Sequence, residues 1–282
     1  MVRFLLNSSI GRKLVMSITG CALVLFLLFH MAMNVVAVIG DGSAYDAICR
    51  FLGAHWYALV GTVGLAACVV VHFIYAFILT WQNRKARGNV RYAVTVTEKG
   101  VDWSSKNMLV LGIIVILGLG LHLSHFWAKM QLQELMGVQE LVLANGQPVG
   151  PTDGIQIIKF VFSQWYNVVL YLVWFAALWF HLTHGVWSMF QSAGAANDKW
   201  LPRLKCVSNL ISTVIFIGFA VVAVVFFVKG NPDLFGCCSC CCPEAAEAAE
   251  AAVEAIPAAE PVVEPVVEAV IEAATEVVTP GN

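Results

Sequence analysis

Charged side chains are scarce in this chain: Asp, Glu, Lys and Arg together make up 12% of its 282 residues. A soluble domain carries about 25%, so the shortage excludes an ordinary soluble globular protein. The sequence also lacks a glycine-rich phosphate loop, a Gly-x-Ser-x-Gly elbow and a His-Glu-x-x-His helix. We therefore expect no soluble catalytic domain, and no nucleic-acid partner.

Regularly spaced cysteine pairs are also lacking. Five of the nine cysteines crowd between Cys237 and Cys242, and the other four are scattered, at Cys21, Cys49, Cys68 and Cys206. None of them shows metal-ligand or redox spacing, so we expect no disulfide framework. Three interpretations of the cluster stay open, namely a metal site, an acylated segment and a plain exposed thiol tract.

Basic residues are missing from the end of the chain. Nine of the eighteen acidic residues are glutamates between Glu244 and Glu276, where no Lys or Arg occurs. The rest of the chain has 16 basic and 9 acidic residues, a net charge of +7. The tail repeats Ala, Glu, Val and Pro, which is typical of disorder. We therefore separate residues 231–282, the cysteine cluster and a disordered tail, from residues 1–230.

Long uncharged stretches dominate residues 1–230. Each of the five is about 20 residues or longer, the length that a membrane-spanning helix needs, and they cover residues 14–39, 55–81, 107–128, 160–191 and 206–228. The first is too long for the apolar part of a signal peptide. The predicted fold is all-α, a polytopic membrane bundle of five transmembrane helices.

The basic residues in the loops are distributed unevenly. Twelve precede the first stretch or lie between the second and third or the fourth and fifth, whereas four lie on the other side, at Arg50, Lys129, Lys159 and Lys229. Since basic loops stay in the cytoplasm, the N-terminus is predicted inside and the tail outside a bacterial cytoplasmic (inner) membrane. The loop between the second and third stretches either docks a partner or anionic lipid, or only sets topology.

Four of the five stretches carry a histidine at matched depth. Counted from Leu14, His55, Asn107 and Gln164, the residues His30, His72, His122 and His181 come 15 to 17 positions later, which is roughly 24 Å along a helix. Because successive helices alternate in direction, His30 and His122 lie toward the outer face, and His72 and His181 toward the cytoplasm.

Paired imidazoles on facing helices are what six-coordinate haem b requires. We therefore predict that four helices enclose two stacked haems b, with His30 and His122 on one iron and His72 and His181 on the other. The fifth helix, which has no histidine, is predicted to pack at the periphery. Six glycines either make room for porphyrin or allow ordinary helix packing: Gly20, Gly61, Gly64, Gly112, Gly118 and Gly120.

Two further histidines, His125 and His184, come about one turn nearer the helix ends. A haem-propionate or quinone contact, a proton relay and an interfacial structural role all remain open for them. A quinone carbonyl needs a hydrogen-bond donor in an apolar setting. The candidates are Ser17, Arg12 and His184 on the inner side and Asp41, Asp46 and His55 on the outer side.

Several motifs resemble a known family. They are RKLVMSITG at residues 12–20, FHM around His30, VVVHFIYAF around His72, LGLHLSHFW around His122 and FHLTHGVWSMFQSAG at residues 180–194. From about residue 9 to residue 228 the chain resembles the dihaem cytochrome b membrane anchor of succinate:quinone oxidoreductases, which include quinol:fumarate reductases. The resemblance is to the single-subunit, five-helix type.

The resemblance implies that His181 rather than His184, and His122 rather than His125, are the axial ligands. It implies that His72 and His181 hold the haem nearer the soluble subunits. Those partners would be a flavoprotein that interconverts succinate and fumarate and an iron–sulfur subunit, while this chain reacts with quinone, with menaquinone as the expected substrate. Trp179 stands where some members carry a glutamate, which argues against a dedicated carboxylate proton path.

Two alternatives compete with this interpretation. A dihaem cytochrome b of a hydrogenase or nitrate reductase would show the same histidine pattern. A haem-free proton-coupled transporter would use the histidines as a relay, but the inverted repeats and midplane carboxylates typical of transporters are not visible in the sequence.

Overall fold

The computed structural model describes residues 8–88, 103–192, 194 and 197–235. Two units divide the chain, Met1–Pro232 and Asp233–Asn282, and the spanning helices all belong to the first. The cysteine cluster and acidic tail lie outside the described residues from residue 236 onward. The same holds for residues 89–102 of the basic loop.

Five helices in the described part of the chain are long and apolar enough to span a bilayer. They are α1 (Ser9–Val36), α3 (Trp56–Arg87), α5 (Met108–His122) with the π-helical turn Leu123–Trp127 that continues it, α8 (Trp165–Ser192) and α9 (Leu201–Gly230). The molecule is therefore mostly helical and a multi-pass membrane protein.

Shorter elements connect the spanning helices. They are α2 (Ser43–Phe51), α4 (Trp103–Lys106), α6 (Gln131–Leu135), α7 (Gly154–Phe162) and α10 (Pro232–Phe235). An antiparallel hairpin of β1 (Leu141–Val142) and β2 (Pro148–Val149) lies between α6 and α7. This hairpin is a small departure from the all-α prediction.

Three of the spanning helices, α1, α3 and α9, extend at one or both ends beyond the uncharged stretches into charged sequence. The first begins at Ser9, where the Ser8 hydroxyl accepts a hydrogen bond from the Gly11 backbone N–H at 2.9 Å. The second runs on through its basic end to Gly88, whose φ of 70° places the chain in a conformation that favours glycine. Both helices thus continue through the basic residues that flank their apolar stretches.

The fourth uncharged stretch, residues 160–191, is broken into α7 and α8. Two side-chain amides satisfy carbonyls at the break: Asn167 Nδ2 donates to the Val161 carbonyl at 2.9 Å, and Asn231 Nδ2 donates to the Ser163 carbonyl at 2.8 Å. Carbonyls at helix ends have no partner within their own helix, so these amides stabilise the bend.

The central helix of the bundle is α8, which packs against α1, α5 and most extensively α9. Its buried side chains include Tyr171, Phe175 and Leu182, and α9 contributes Ile215 and Phe219 to the same core. The expectation of a peripheral fifth helix is therefore corrected, since Ser208 and Ser212 of α9 are fully buried. Small residues at a membrane helix interface allow this close approach.

The peripheral helix is instead α3, which carries His72. It packs mainly on α1, and none of the residues in its most apolar window is buried. Its large side chains Val60, Val63 and Val70 are exposed, as is normal for a lipid-facing surface.

Candidate functional site

The first histidine pair joins α1 to α5. The His30 and His122 ring centroids lie 5.6 Å apart with the ring planes at 82°. Phe26 stacks on His30 at 5.3 Å, Phe219 lies 5.7 Å from His30, and Trp174 lies 5.8 Å from His122. The pair is thus surrounded by aromatic side chains of α1, α8 and α9.

A short hydrogen-bond chain supports His30 from the membrane surface. Asn34 Nδ2 donates to the His30 carbonyl at 2.8 Å, and the Tyr45 hydroxyl donates to Asn34 Oδ1 at 3.3 Å. Burial raises the pKa of the Tyr45 phenol, so Tyr45 stays protonated and remains a donor. The interfacial helix α2 is thereby attached to the turn of α1 that carries His30.

The second predicted pair is His72 on α3 and His181 on α8. The His181 side chain lies within electrostatic range of both His72 and His184. A Cβ on Gly20 would lie 3.4 Å from His72 Cε1, and one on Gly112 would lie 3.7 Å from His181 Cε1. Each ring therefore lies next to a glycine on a neighbouring helix, where a methyl group would be in ordinary van der Waals contact with the ring. His181 Nδ1 is buried and has no hydrogen-bond partner among the described residues.

The remaining four glycines differ in their surroundings. Gly118 lies against the Trp174 indole, which donates to the Val115 carbonyl at 3.0 Å, so a side chain there would collide with Trp174. No described atom lies within 4 Å of where a Cβ would stand on the other three, Gly61, Gly64 and Gly120. Gly20 and Gly112 are thus the two that adjoin histidine rings.

His125 lies in the π-helical turn that follows His122. Its ring stacks on Tyr171 with centroids 5.9 Å apart, and its Nδ1 lies 3.3 Å from the Tyr171 hydroxyl. His122 meets Trp174, which lies three residues further along α8, so both histidines face the same helix. Single π turns are frequent at functional sites. Lys129 follows this turn, and burial lowers the pKa of its ammonium.

His184 lines a cavity of about 140 Å³ at the end of α8 and the start of α9. The other lining residues are Ser104, Thr183, Trp187, Lys205 and Asn209. The Trp187 and His184 rings meet edge to face at 4.9 Å, and Lys205 Nζ lies 5.0 Å from the centre of the Trp187 ring. The Trp187 indole N–H is buried without a hydrogen-bond partner among the described residues. The cavity therefore presents a positive charge and a buried donor one turn from His181.

Sequence reasoning missed Trp187, Lys205 and Asn209. A signal for two of them was present: Lys205 is the last charge before the fifth uncharged stretch, and Trp187 lies within the FHLTHGVWSMFQSAG segment. Asn209 has no such signal, because a polar residue on a spanning helix gives no indication of which helix it faces.

The predicted inner-side quinone contacts, Arg12 and Ser17, both lie in the first turns of α1. The Ser17 hydroxyl donates to the Lys13 carbonyl at 2.9 Å. A serine hydroxyl within a helix commonly donates in this way to a carbonyl of the preceding turn.

The predicted outer-side contacts are engaged in loop and helix-end structure. Asp41 Oδ1 accepts from the Ser43 backbone N–H at 3.0 Å, and hydrogen bonds from the backbone and hydroxyl of Ser43 lower the pKa of the Asp41 carboxyl. Asp46 Oδ1 accepts from the Ile155 N–H at 3.0 Å in the first turn of α7. His55 stacks on Tyr57 at 5.4 Å where α3 begins.

The His30–His122 pair offers two imidazole nitrogens, which is the set that the axial positions of a six-coordinate haem take from a protein. Among the described residues there is no group of three or more His, Cys, Asp or Glu side chains that could hold a metal ion. Imidazole–metal bonds of about 2 Å on opposite sides of an ion put ring centroids roughly 6 Å apart, and the His30–His122 distance is 5.6 Å.

No family model matches this chain, and neither a curated protein nor a solved structure matches it.

Proposed function

We propose that this chain is the dihaem cytochrome b membrane anchor of a succinate:quinone oxidoreductase. The observation that carries the proposal is the contact between His30 of α1 and His122 of α5, together with the proximity of His72 of α3 to His181 of α8. Inside a bilayer, an imidazole is costly and is usually functional. If the histidines are two pairs of haem ligands, one function explains why all four of them lie inside spanning helices.

The spacing of the residues supports two levels of cofactor. His30 comes ten residues after Gly20, and His122 comes ten residues after Gly112, and these glycines adjoin His72 and His181. Ten residues of α-helix rise about 15 Å. The pairs are therefore separated by about 15 Å along the helices, so the two irons would be stacked across the bilayer.

In this function, each residue has a definite role toward haem. His30 and His122 would hold the iron nearer the outer face, and His72 and His181 the iron nearer the cytoplasm. Bound haem b supplies one-electron redox chemistry. The helices keep the histidine nitrogens oriented and water away from them, while Gly20 and Gly112 lie next to the inner rings.

The cavity around His184 suits the propionates of a haem held by His181. Carboxylates inside a membrane need a positive charge or hydrogen-bond donors, and Lys205, the Trp187 N–H and the Asn209 amide are grouped there. At the other level, His125, Tyr171 and Lys129 form a comparable polar group.

The basic loops set the orientation of the chain in the membrane and form the surface on which soluble subunits would dock. With twelve basic residues on one side of the membrane against four on the other, the N-terminus is cytoplasmic and the tail is outside the bacterial inner membrane. A flavoprotein and an iron–sulfur subunit would dock on the cytoplasmic side, next to the His72 and His181 level. The chain would then exchange electrons with a membrane quinone, which we expect to be menaquinone.

Haem content tests the proposal directly. The chain is purified with whatever subunits accompany it, and haem b per chain is measured by pyridine haemochrome. Two haems b per chain are expected, together with covalently bound flavin in a co-purifying subunit. Two haems accompanied by hydrogenase or nitrate reductase subunits would reassign the complex. A well-folded sample without haem would contradict the proposal and favour the transporter.

A further inference from the structure

Thr19 makes a contact that links α1 to His72 of α3. Its hydroxyl oxygen lies 3.1 Å from His72 Nδ1. The same oxygen lies 2.9 Å from the Val15 carbonyl and 3.1 Å from the Met16 carbonyl. Thr19 is buried, with 9% of its surface exposed, so water does not compete for these bonds.

The hydrogen-bond inventory fixes which partner donates. A threonine hydroxyl has one proton, and a carbonyl can only accept. The proton therefore goes to the carbonyls of the preceding turn, one of which is the shortest of the three contacts. The hydroxyl oxygen then accepts from His72, which places the imidazole proton on Nδ1 and leaves the Nε2 lone pair available.

We propose that Thr19 is a positioning residue that sets the tautomer and ring orientation of His72 for iron ligation through Nε2. The inference rests on the proposed function, because it concerns His72 as a haem ligand. Gly20 supports the geometry, since it lies beside the same ring. Thr19 and Gly20 therefore bring the same turn of α1 into contact with the His72 imidazole.

The two ligands of the inner iron are unequal in this respect. His181 Nδ1 has no hydrogen-bond partner among the described residues, whereas the His72 ring contacts both the Thr19 hydroxyl and the Met16 backbone. A hydrogen bond to the outer nitrogen raises the basicity of a ligating histidine. A more basic ligand favours ferric over ferrous iron, so Thr19 lowers the potential of the inner haem.

The test uses the full-length protein purified with its complex. Thr19→Val removes the hydroxyl but keeps the branched shape, and Thr19→Ser keeps the hydroxyl. The two haem potentials are measured by redox titration followed optically and by electron paramagnetic resonance. In Thr19→Val, the ferric-to-ferrous ratio of one haem is expected to fall by about tenfold, a rise of about 59 mV. The other haem should not change, and Thr19→Ser should resemble the original.

A matched control is available in α9. Thr213 Oγ1 accepts from the Trp179 indole N–H at 3.1 Å, so it is also a hydrogen-bonded threonine on a spanning helix, but its partner is not a histidine. Thr213→Val is expected to leave both haem potentials unchanged.

Several results would decide the matter. A Thr19→Val protein that loses one haem, beside a Thr19→Ser protein that keeps both, would support the inference. A shift in the potential of one haem in Thr19→Val would support it equally. Unchanged haems and potentials in Thr19→Val, or a Thr19→Ser protein that behaves like Thr19→Val, overturn it and leave the proposed function intact. Absence of haem from the unsubstituted protein overturns the proposed function and this inference with it.

Discussion

The four central histidines differ in what supports them. His30 has Asn34 beside its ring, with Tyr45 behind Asn34. His72 has the Thr19 hydroxyl, and His122 lies among aromatic rings. For His181, the described residues provide no partner to the buried Nδ1. Because neighbouring groups tune the iron at each ligand, we expect the two haems to have different potentials.

His181 and His184 provide a matched pair of substitutions, since they lie on the same helix three residues apart. His181→Ala removes a proposed axial ligand of the inner haem, so we expect one haem b per chain in place of two, with unchanged membrane insertion. His184→Ala removes a side chain that lines the proposed propionate cavity but is not a proposed axial ligand, so we expect both haems to remain, with the inner haem bound less tightly.

The measurement is again pyridine haemochrome, with chain content determined by amino-acid analysis and insertion by extraction with alkaline carbonate. Two haems in the His181→Ala protein would disprove the ligand assignment. One haem in His184→Ala and two in His181→Ala would exchange the two roles.

At the residue scale, the sequence predicts how far along a helix a side chain lies. It does not predict which side chain of another helix that residue contacts. The four histidines follow from their distance to the start of each apolar stretch. The Thr19–His72 contact joins residues 53 positions apart, and the cavity brings Ser104 to Lys205. No periodicity in a uniformly apolar helix records which face meets which neighbour, so these partners need the structure.

At the scale of elements, the uncharged stretches give the number of spanning helices but not their bounds or breaks. The break between α7 and α8 falls at Ser163 and Gln164, where no charged residue, proline or glycine predicts it. It depends on amides from elsewhere, one of them Asn231 of the turn after α9. The presence of histidine was likewise a poor guide to burial, because α9 is central and α3 is peripheral.

The interface between α8 and α9 depends on a small buried residue, Ser208. It is fully buried, and its hydroxyl donates to the Thr183 carbonyl at 2.8 Å. Ser208→Leu forces a larger side chain into this contact, which we expect to destabilise the bundle by about 1–3 kcal/mol. The expected result is a lower Tm for the protein in detergent, followed by tryptophan fluorescence.

Val207→Leu is the control for this substitution. Val207 precedes Ser208 on α9 but is 48% exposed, so it faces lipid and accommodates a larger apolar side chain. We expect its Tm to equal that of the original protein. Equal Tm values for Ser208→Leu and Val207→Leu would show that the α8–α9 contact is not tightly packed.

At the scale of the whole molecule, the number of spanning helices fixes the relation between the first and the last of them. With five spanning helices in the described part of the chain, the start of α1 and the end of α9 lie on opposite sides of the membrane. Which end is inside follows from charge rather than from packing. The orientation in turn decides which histidine pair would lie nearer the proposed cytoplasmic subunits, because His72 and His181 come near the ends of α3 and α8 that the basic loops follow.

Reporter fusions test the orientation. Alkaline phosphatase is active outside the cytoplasm, and green fluorescent protein fluoresces inside it. We expect a fusion after Gly230, at the end of α9, to give active phosphatase and no fluorescence. A fusion after Gly88, at the end of α3, should give the reverse and serves as the matched control. If both fusions show the opposite pattern, the His30 and His122 pair, not His72 and His181, would be the one next to the proposed flavoprotein and iron–sulfur subunits, and electrons would pass the two levels in the opposite order.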